Sequence, residues 1–228
     1  MKLFGPLHVT LLVAIGVSAL TLVTLCRRGV LSARAVSFAL GSALAINEIV
    51  WWISRYSREG IHAGNLPLQL CDVAVWVAVI ACITRVPALA EFTWFAGMAG
   101  AGMALLTPDL AAPWPQWPAI YFFLAHGGVV ISAALLAFSG VMPFHPRSVW
   151  RPFGILLAYA ALVGCVDAVL HTNYMYLRSK PASASLLDAV GPWPWYIAAG
   201  AGIGLALFSL LWLPVRPATR RQPGPSAR

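Results

Sequence analysis

Long apolar stretches alternate with short polar segments along almost the whole chain. About 20 apolar residues cross a bilayer as a helix. Seven stretches approach that length, at 6–26, 34–54, 67–83, 88–107, 117–138, 152–171 and 193–213. We therefore predict an all-α fold, namely a polytopic membrane protein that forms a seven-helix transmembrane bundle. The third stretch is the shortest, and it opens on Pro67.

The composition leaves little room for a soluble domain. Apolar residues make up 60% of the chain and charged residues only 10%, whereas soluble domains carry about 25% charged residues. We predict one transmembrane domain over residues 1–213. The segment 214–228 is rich in Pro and Arg and has too little apolar surface to fold. It is predicted to be a disordered basic cytoplasmic tail.

The basic residues are distributed unevenly between the two sides of the predicted bundle. Short loops and the tail carry most of the net charge of +8, without interleaved aromatic residues, which favours topology and lipid contact over nucleic-acid binding. The positive-inside rule then places the N-terminus outside and the C-terminus in the cytoplasm. One side holds Arg27, Arg28, Arg34, Arg85, Arg147, Arg151, Arg216, Arg220, Arg221 and Arg228, and the other holds Lys2, Arg55, Arg58, Arg178 and Lys180.

The four cysteines do not form a metal-binding pattern. No CxxC pair and no other metal-ligand spacing is present, so we predict neither a metal site nor a cofactor. Membrane lipids are the expected partners. Nothing in the sequence indicates an oligomeric state.

Polar residues inside the predicted spans gather near the outer side. Such residues are expensive in a bilayer and are functional candidates by default. Because they concentrate in one layer, we predict a polar pocket in the outer half of the membrane, closed by the loops that join spans 2–3, 4–5 and 6–7. Its expected members are Glu48, Gln69, Cys71, Asp72, His126, Asp167 and Asn173.

Each of these residues also has a structural interpretation. Glu48 could pair with a basic loop residue, Asp72 could cap the third helix, and His126 could be a packing histidine. Cys71 could be an inert buried thiol or could form a bridge to Cys165. It could also be a nucleophile, since a helix N-terminus favours the thiolate, whereas the neighbouring Asp72 opposes it. The residues alone leave these alternatives open.

Small residues recur in two of the predicted spans. They stand at Gly97, Gly100 and Gly102, and again at Gly200, Gly202 and Gly204. Small residues at helix faces let neighbouring backbones approach closely. We therefore predict close helix packing at both places.

Four ordered motifs carry a resemblance to a known family. The chain resembles the YwaF-like bacterial integral membrane proteins, which are similar to the eukaryotic transmembrane protein 164 group. The resemblance spans roughly residues 45–200 and implies a multi-pass protein of the bacterial inner membrane. The motifs are LPLQLCD at 66–72, YFFLAHG at 121–127, NYMYLRSKP at 173–181 and GPWPWY at 191–196.

The resemblance also implies a chemistry. The transmembrane protein 164 group is described as acyltransferases that remodel phospholipids through a membrane-embedded cysteine. Carried over by motif, Cys71 would be the nucleophile and His126 the base. Gln69 stands where the family commonly has a histidine, and an amide cannot act as a base. Arg178 and Lys180 would bind a lipid phosphate.

Two other function classes stay open at this point. A buried set of acids and a histidine also describes a proton relay in a transporter. Against it, the sequence shows neither an inverted repeat nor paired broken helices. The third alternative is a membrane protein that binds a lipid or another small molecule without catalysis.

Overall fold

The apolar stretches form helices that pack side by side. The structure is a computed structural model, which describes residues 1–110, 112–145, 148–180 and 190–216, and within these ranges every regular element is helical. Six helices are long and apolar enough to cross a membrane, and a seventh, α3, is shorter. The predicted all-α polytopic bundle is thereby confirmed. The helices are α1 Pro6–Arg27, α2 Ala33–Glu59, α3 Leu70–Thr84, α4 Pro87–Leu106, α5 Trp117–Phe138, α6 Trp150–Leu170 and α7 Trp195–Trp212.

The start of α3 differs from its predicted start. The helix begins at Leu70 rather than at Pro67. The Asp72 carboxylate accepts a hydrogen bond of 3.2 Å from the backbone N–H of Gln69. This bond satisfies an N–H group that a helix start leaves free. Cys71 is therefore in the first turn of α3.

Helix α5 is the centre of one half of the bundle, where it packs against α1, α2, α3 and α4. Its glycines allow the close approach. A Cβ atom at Gly127 would lie 2.8 Å from Ile15 of α1, and one at Gly128 would overlap Leu44 of α2. On α4, a Cβ at Gly97 would lie 3.0 Å from Val129, as the predicted close packing requires.

Helices α4, α6 and α7 form the other half. The rings of Phe95 and Phe153 lie 5.5 and 5.9 Å from that of Phe208. The Trp94 indole donates a hydrogen bond of 2.9 Å to the carbonyl of Leu211. Much of α6 and α7 stays exposed, including large apolar side chains. Lipid is the medium that such surfaces require.

The helices alternate in direction, so the loops after α2, α4 and α6 lie at one end, and hydrogen bonds join the first and the third of them. We call residues 60–69 and 172–180 the cap, because these segments cover that end of the bundle. At the other end Val215, which follows α7, is buried in the core. Most of the predicted tail, residues 217–228, lies outside the described residues.

Candidate functional site

Tyr174 joins the two segments of the cap. Its phenol donates a hydrogen bond of 2.5 Å to the carbonyl of Ala63 and accepts one of 2.7 Å from the N–H of Leu66. Burial raises the pKa of this phenol, so it stays protonated and remains a donor. Gln69 adds a second link, since its Oε1 accepts a bond of 2.9 Å from the N–H of Met175.

Asp167 anchors the cap to the end of α6. It is fully buried. Its Oδ1 accepts hydrogen bonds from the Thr172 hydroxyl at 2.7 Å and from the Tyr174 N–H at 2.9 Å. The Arg178 guanidinium donates to the Asp167 backbone carbonyl at 3.1 Å. The contacts of Asp167 are therefore those of a residue that positions a loop.

Asn173 organises the remainder of that loop. Its Oδ1 accepts from the N–H groups of Arg178 and Ser179, each at 3.0 Å. Its Nδ2 donates to the Ser179 carbonyl and hydroxyl, so both amide protons are already in use. Lys180 places its ammonium 5.7 Å from the centre of the Tyr196 ring.

The cap contains two neighbouring residues in an unfavourable backbone conformation. Met175 and Tyr176 have φ values of 53° and 55°, a left-handed region that non-glycine residues seldom adopt. The Tyr196 phenol holds this turn by donating 2.6 Å to the Tyr176 carbonyl. The Trp193 indole donates 3.2 Å to the carbonyl of Leu177. Such strain is commonly found at functional sites.

Cys71 points along the face of α3 that packs into the bundle. Val75, Ala78 and Cys82 share that face, because they follow it at helical spacing, and all three are buried. The Cys71 thiol is nonetheless accessible, although protein surrounds most of it. It is in the first turn of α3, where backbone N–H groups have no acceptor within the helix. These groups carry the positive end of the helix dipole.

Two carboxyl groups lie near this thiol. Asp72 and Glu48 are both close enough to Cys71 to interact with its charge. Glu48 is fully buried, and its carboxylate accepts 2.7 Å from the Trp52 indole and 2.8 Å from the Tyr121 phenol. The structure therefore brings together three of the predicted pocket residues.

Among the described residues, Glu48 does not form the predicted alternative pair with a basic loop residue. Arg55, on the same helix, instead pairs with Glu59 at 3.0 Å and stacks over the Trp52 ring. Among the described residues, Glu48 is held by an indole and a phenol rather than by a basic side chain. The cysteine bridge considered from the sequence is also not formed, since Cys71 and Cys165 are both free thiols.

His126 occupies a different face of α5 from the one directed at Glu48. It follows Tyr121 by five residues, which is about 140° around a helix. Its Nδ1 lies 2.8 Å from the Phe122 carbonyl. A carbonyl can only accept, so Nδ1 carries the proton and Nε2 has the free lone pair. No described hydrogen bond joins His126 to Cys71.

The tyrosines around the site were missed by sequence reasoning. The Tyr159 phenol donates 2.9 Å to the carbonyl of Leu68 and lies near both Cys71 and Asp72. Tyr121 and Tyr174 were within the quoted motifs, and that position was their only signal. In the part of the chain that the structure describes, no group of His, Cys, Asp or Glu is arranged to hold a metal ion.

Comparison with known proteins identifies the family. A model of the TMEM164 family matches residues 3–212. The chain belongs to the TMEM164 family. The match includes all seven helices and the cap, which confirms the resemblance to the transmembrane protein 164 group. The narrower assignment to the YwaF-like bacterial proteins stays a prediction. No curated protein and no solved structure matches the chain.

The four sequence motifs of this TMEM164-family chain can be placed in the fold. The segments 66–72 and 173–180 form much of the cap, and 191–196 leads into α7 beneath it. The segment 121–127 supplies the Tyr121 phenol that binds Glu48. The motifs at 66–72, 121–127 and 173–180 thus contribute residues close to Cys71.

Proposed function

We propose that this TMEM164-family membrane protein is a lipid acyltransferase that carries the acyl group on Cys71. One observation carries the proposal. The Cys71 thiol is free and exposed, and it lies in the first turn of α3. Family kinship supports the same chemistry. A protein that binds lipid without catalysis is the competing outcome of the experiments.

The reaction can be written with its atoms balanced. The thiolate attacks the carbonyl carbon of an acyl ester, so a sulfur–carbon bond forms and the ester carbon–oxygen bond breaks. The leaving lyso-lipid oxygen takes the proton that the thiol lost. A second alcohol, or water, then attacks the thioester and receives the acyl group. The thiol is regenerated in this second step.

When the thiolate attacks the ester, negative charge develops on the carbonyl oxygen, and hydrogen-bond donors must stabilise it. The backbone N–H of Cys71 is at the N-terminus of α3, where a free donor and the helix dipole favour an anion. Gln69 can add a second donor. Met175 occupies its Oε1, and its Nε2 has no partner among the described residues. Asn173, in contrast, already uses both amide protons within the cap.

Two basic residues and the orientation in the membrane determine how the lipid headgroup is bound. Arg178 and Lys180, both in the cap, bind the phosphate of the lipid. The cap faces the outside of a bacterial cell membrane, and the more basic loops face the cytoplasm.

Thiol labelling on intact cells tests this orientation. In a background without native cysteines, Ile61→Cys places a thiol at an exposed site in the cap, and Val30→Cys places one at the other end of the bundle. A membrane-impermeant maleimide should label Ile61→Cys on intact cells and Val30→Cys only after lysis. The opposite pattern would reverse the proposed orientation.

The mechanism also needs a residue that accepts the proton of the Cys71 thiol. The structure places Asp72 near the Cys71 sulfur, so we propose that its carboxylate takes the thiol proton. The resemblance instead implies His126. The Asp72→Asn variant keeps an oxygen for the bond to Gln69 and removes the negative charge and the basicity. It should lower the rate of Cys71 acylation by roughly 10²-fold or more.

His126→Gln is the matched comparison for that experiment. Acylation rates are measured by rapid quench with purified protein in lipid vesicles. We expect a much smaller loss for His126→Gln than for Asp72→Asn. A large loss for His126→Gln beside a mild one for Asp72→Asn would assign the base to the histidine, and Asp72 would then only cap α3.

A further inference from the structure

An apolar cavity of about 300 Å³ lies between α4, α6 and α7. The turn Met175–Leu177 of the cap lies at one end, near Tyr196, and Phe153 and Phe208 lie at the other end. The cavity reaches the start of α3. Leu70, directly before Cys71, lines it, and so does Tyr176, which is close enough to the Cys71 sulfur to interact with its charge.

Glycines keep this cavity open. Gly200 and Gly204 line it, and a Cβ atom built at either position would meet no atom within 4 Å. The predicted close packing of α7 through Gly200, Gly202 and Gly204 is therefore wrong, because no helix among the described residues comes within 4 Å of a Cβ atom at any of them. These glycines leave space instead of filling it. The cavity is wider at Gly200 and Gly204 because α7 carries no side chain at these two positions.

The shape of the cavity fits one linear apolar chain. Tyr196 and Phe208 are twelve residues apart on α7, which corresponds to about 18 Å along a helix. Almost the whole lining is apolar, so a charged or polar ligand would lose its hydration without compensation.

A second groove adds charge complementarity at the rim. It shares Leu157, Ala160, Leu177 and Ile197 with the cavity, and Arg178 and Trp193 also line it. The guanidinium of Arg178 gives the rim a positive charge. A lipid with an anionic headgroup matches this combination of a basic rim and an apolar interior.

We propose that the cavity holds the acyl chain that is transferred to Cys71, and that its depth sets the longest chain accepted. Phe208 closes the cavity and acts as the stop. Gly204 lies four residues nearer the cap and decides whether the chain reaches that stop. This assignment rests on the proposed acyl transfer, because it names where that reaction places its chain.

Chain-length selection tests the assignment. Full-length protein in vesicles is offered an equimolar mixture of donor lipids with short, medium and long acyl chains, and the chains bound to Cys71 are measured by mass spectrometry. Gly204→Leu should shorten the usable depth from about 18 Å to about 12 Å. The ratio of long to short chains on Cys71 should then fall roughly tenfold or more.

Gly202→Leu is the matched control, since Gly202 is on the same helix but is exposed and outside the cavity lining. It should leave the ratio unchanged. Phe208→Leu removes part of the stop and should shift the ratio toward longer chains, which keeps the test valid if Gly204→Leu does not fold. Identical ratios in Gly204→Leu, Phe208→Leu and Gly202→Leu would overturn the assignment while leaving the Cys71 chemistry intact.

A binding experiment separates the cavity from the reaction. If wild-type Cys71 carries no acyl group, the proposed function fails, and the cavity is then tested with a photoreactive fatty acid. Crosslinks to α7 that Gly204→Leu abolishes and Gly202→Leu preserves would support the cavity as a chain site. Crosslinks that are equal in both variants would overturn it.

Discussion

Replacing Cys71 with alanine is expected to reduce acyl transfer to the background of protein-free vesicles, a fall of at least about 10³-fold. The thiol is the atom that forms the covalent intermediate, and alanine offers no nucleophile in its place. The measurement follows a labelled acyl chain from a donor phospholipid to a lyso-lipid acceptor. Protein folding is checked by thermal unfolding of the purified variant.

Cys165→Ala is the control for this experiment. Cys165 is also a free, exposed thiol, but it is on α6 and not at a helix start. Its loss should leave the transfer rate within about a factor of two, since surface changes rarely alter stability by more than about 0.5 kcal/mol. Substantial transfer by Cys71→Ala, or its loss in Cys165→Ala alone, would remove Cys71 from the mechanism.

Replacing Asp167 with alanine should destabilise the protein by about 2–4 kcal/mol, because the Tyr174 N–H is left buried without an acceptor and the Thr172 hydroxyl loses its partner. The cap should loosen first. Thermal unfolding measures the total loss, and hydrogen exchange of residues 172–180 reports the local one. Asp167→Asn should retain most of the stability, since one oxygen makes both side-chain bonds and an amide keeps that oxygen.

The pair of Asp167 variants also separates structure from chemistry. If Asp167 only positions the cap, the asparagine variant should keep near-normal acyl transfer while the alanine variant loses both stability and activity. A stable but inactive asparagine variant would show that the negative charge itself is needed. That result would contradict the positioning role that the hydrogen bonds support.

The helices were predictable because burial in lipid requires long apolar runs. The predicted boundaries of α1, α4, α5 and α7 agree with the structure within two residues. The end of α2 does not, since the helix continues to Glu59 through the polar pair Arg55–Glu59. Local hydrogen bonds of this kind decide helix ends, and a hydropathy pattern does not contain them.

The composition of the site was less predictable than its location. Alternating helices bring the polar residues to one end of the bundle, and that much follows from the order of the spans. The direction of each side chain around its helix does not follow. Tyr121 rather than His126 is directed at Glu48, because five residues turn a helix by about 140°. Partners across the cap, such as Tyr174 and Ala63, likewise depend on packing.

The role of the glycine-rich segments of α4 and α7 was likewise not predictable from the sequence alone. At Gly97 the absent side chain lets Val129 approach, whereas at Gly200 and Gly204 it leaves an open cavity. Both outcomes have the same sequence signature of small residues at helical spacing. Only the position of the neighbouring helix distinguishes a packing contact from a ligand site.

The central claim is a covalent intermediate on Cys71, and mass spectrometry of that intermediate tests it most directly. Purified protein in phospholipid vesicles is quenched in acid before an acceptor is added, and the peptide that contains Cys71 is analysed with and without neutral hydroxylamine. We predict that this peptide gains the mass of one acyl chain and that hydroxylamine removes it, as expected for a thioester. An unmodified Cys71 peptide, from protein that transfers the acyl chain once an acceptor is added, would contradict the account.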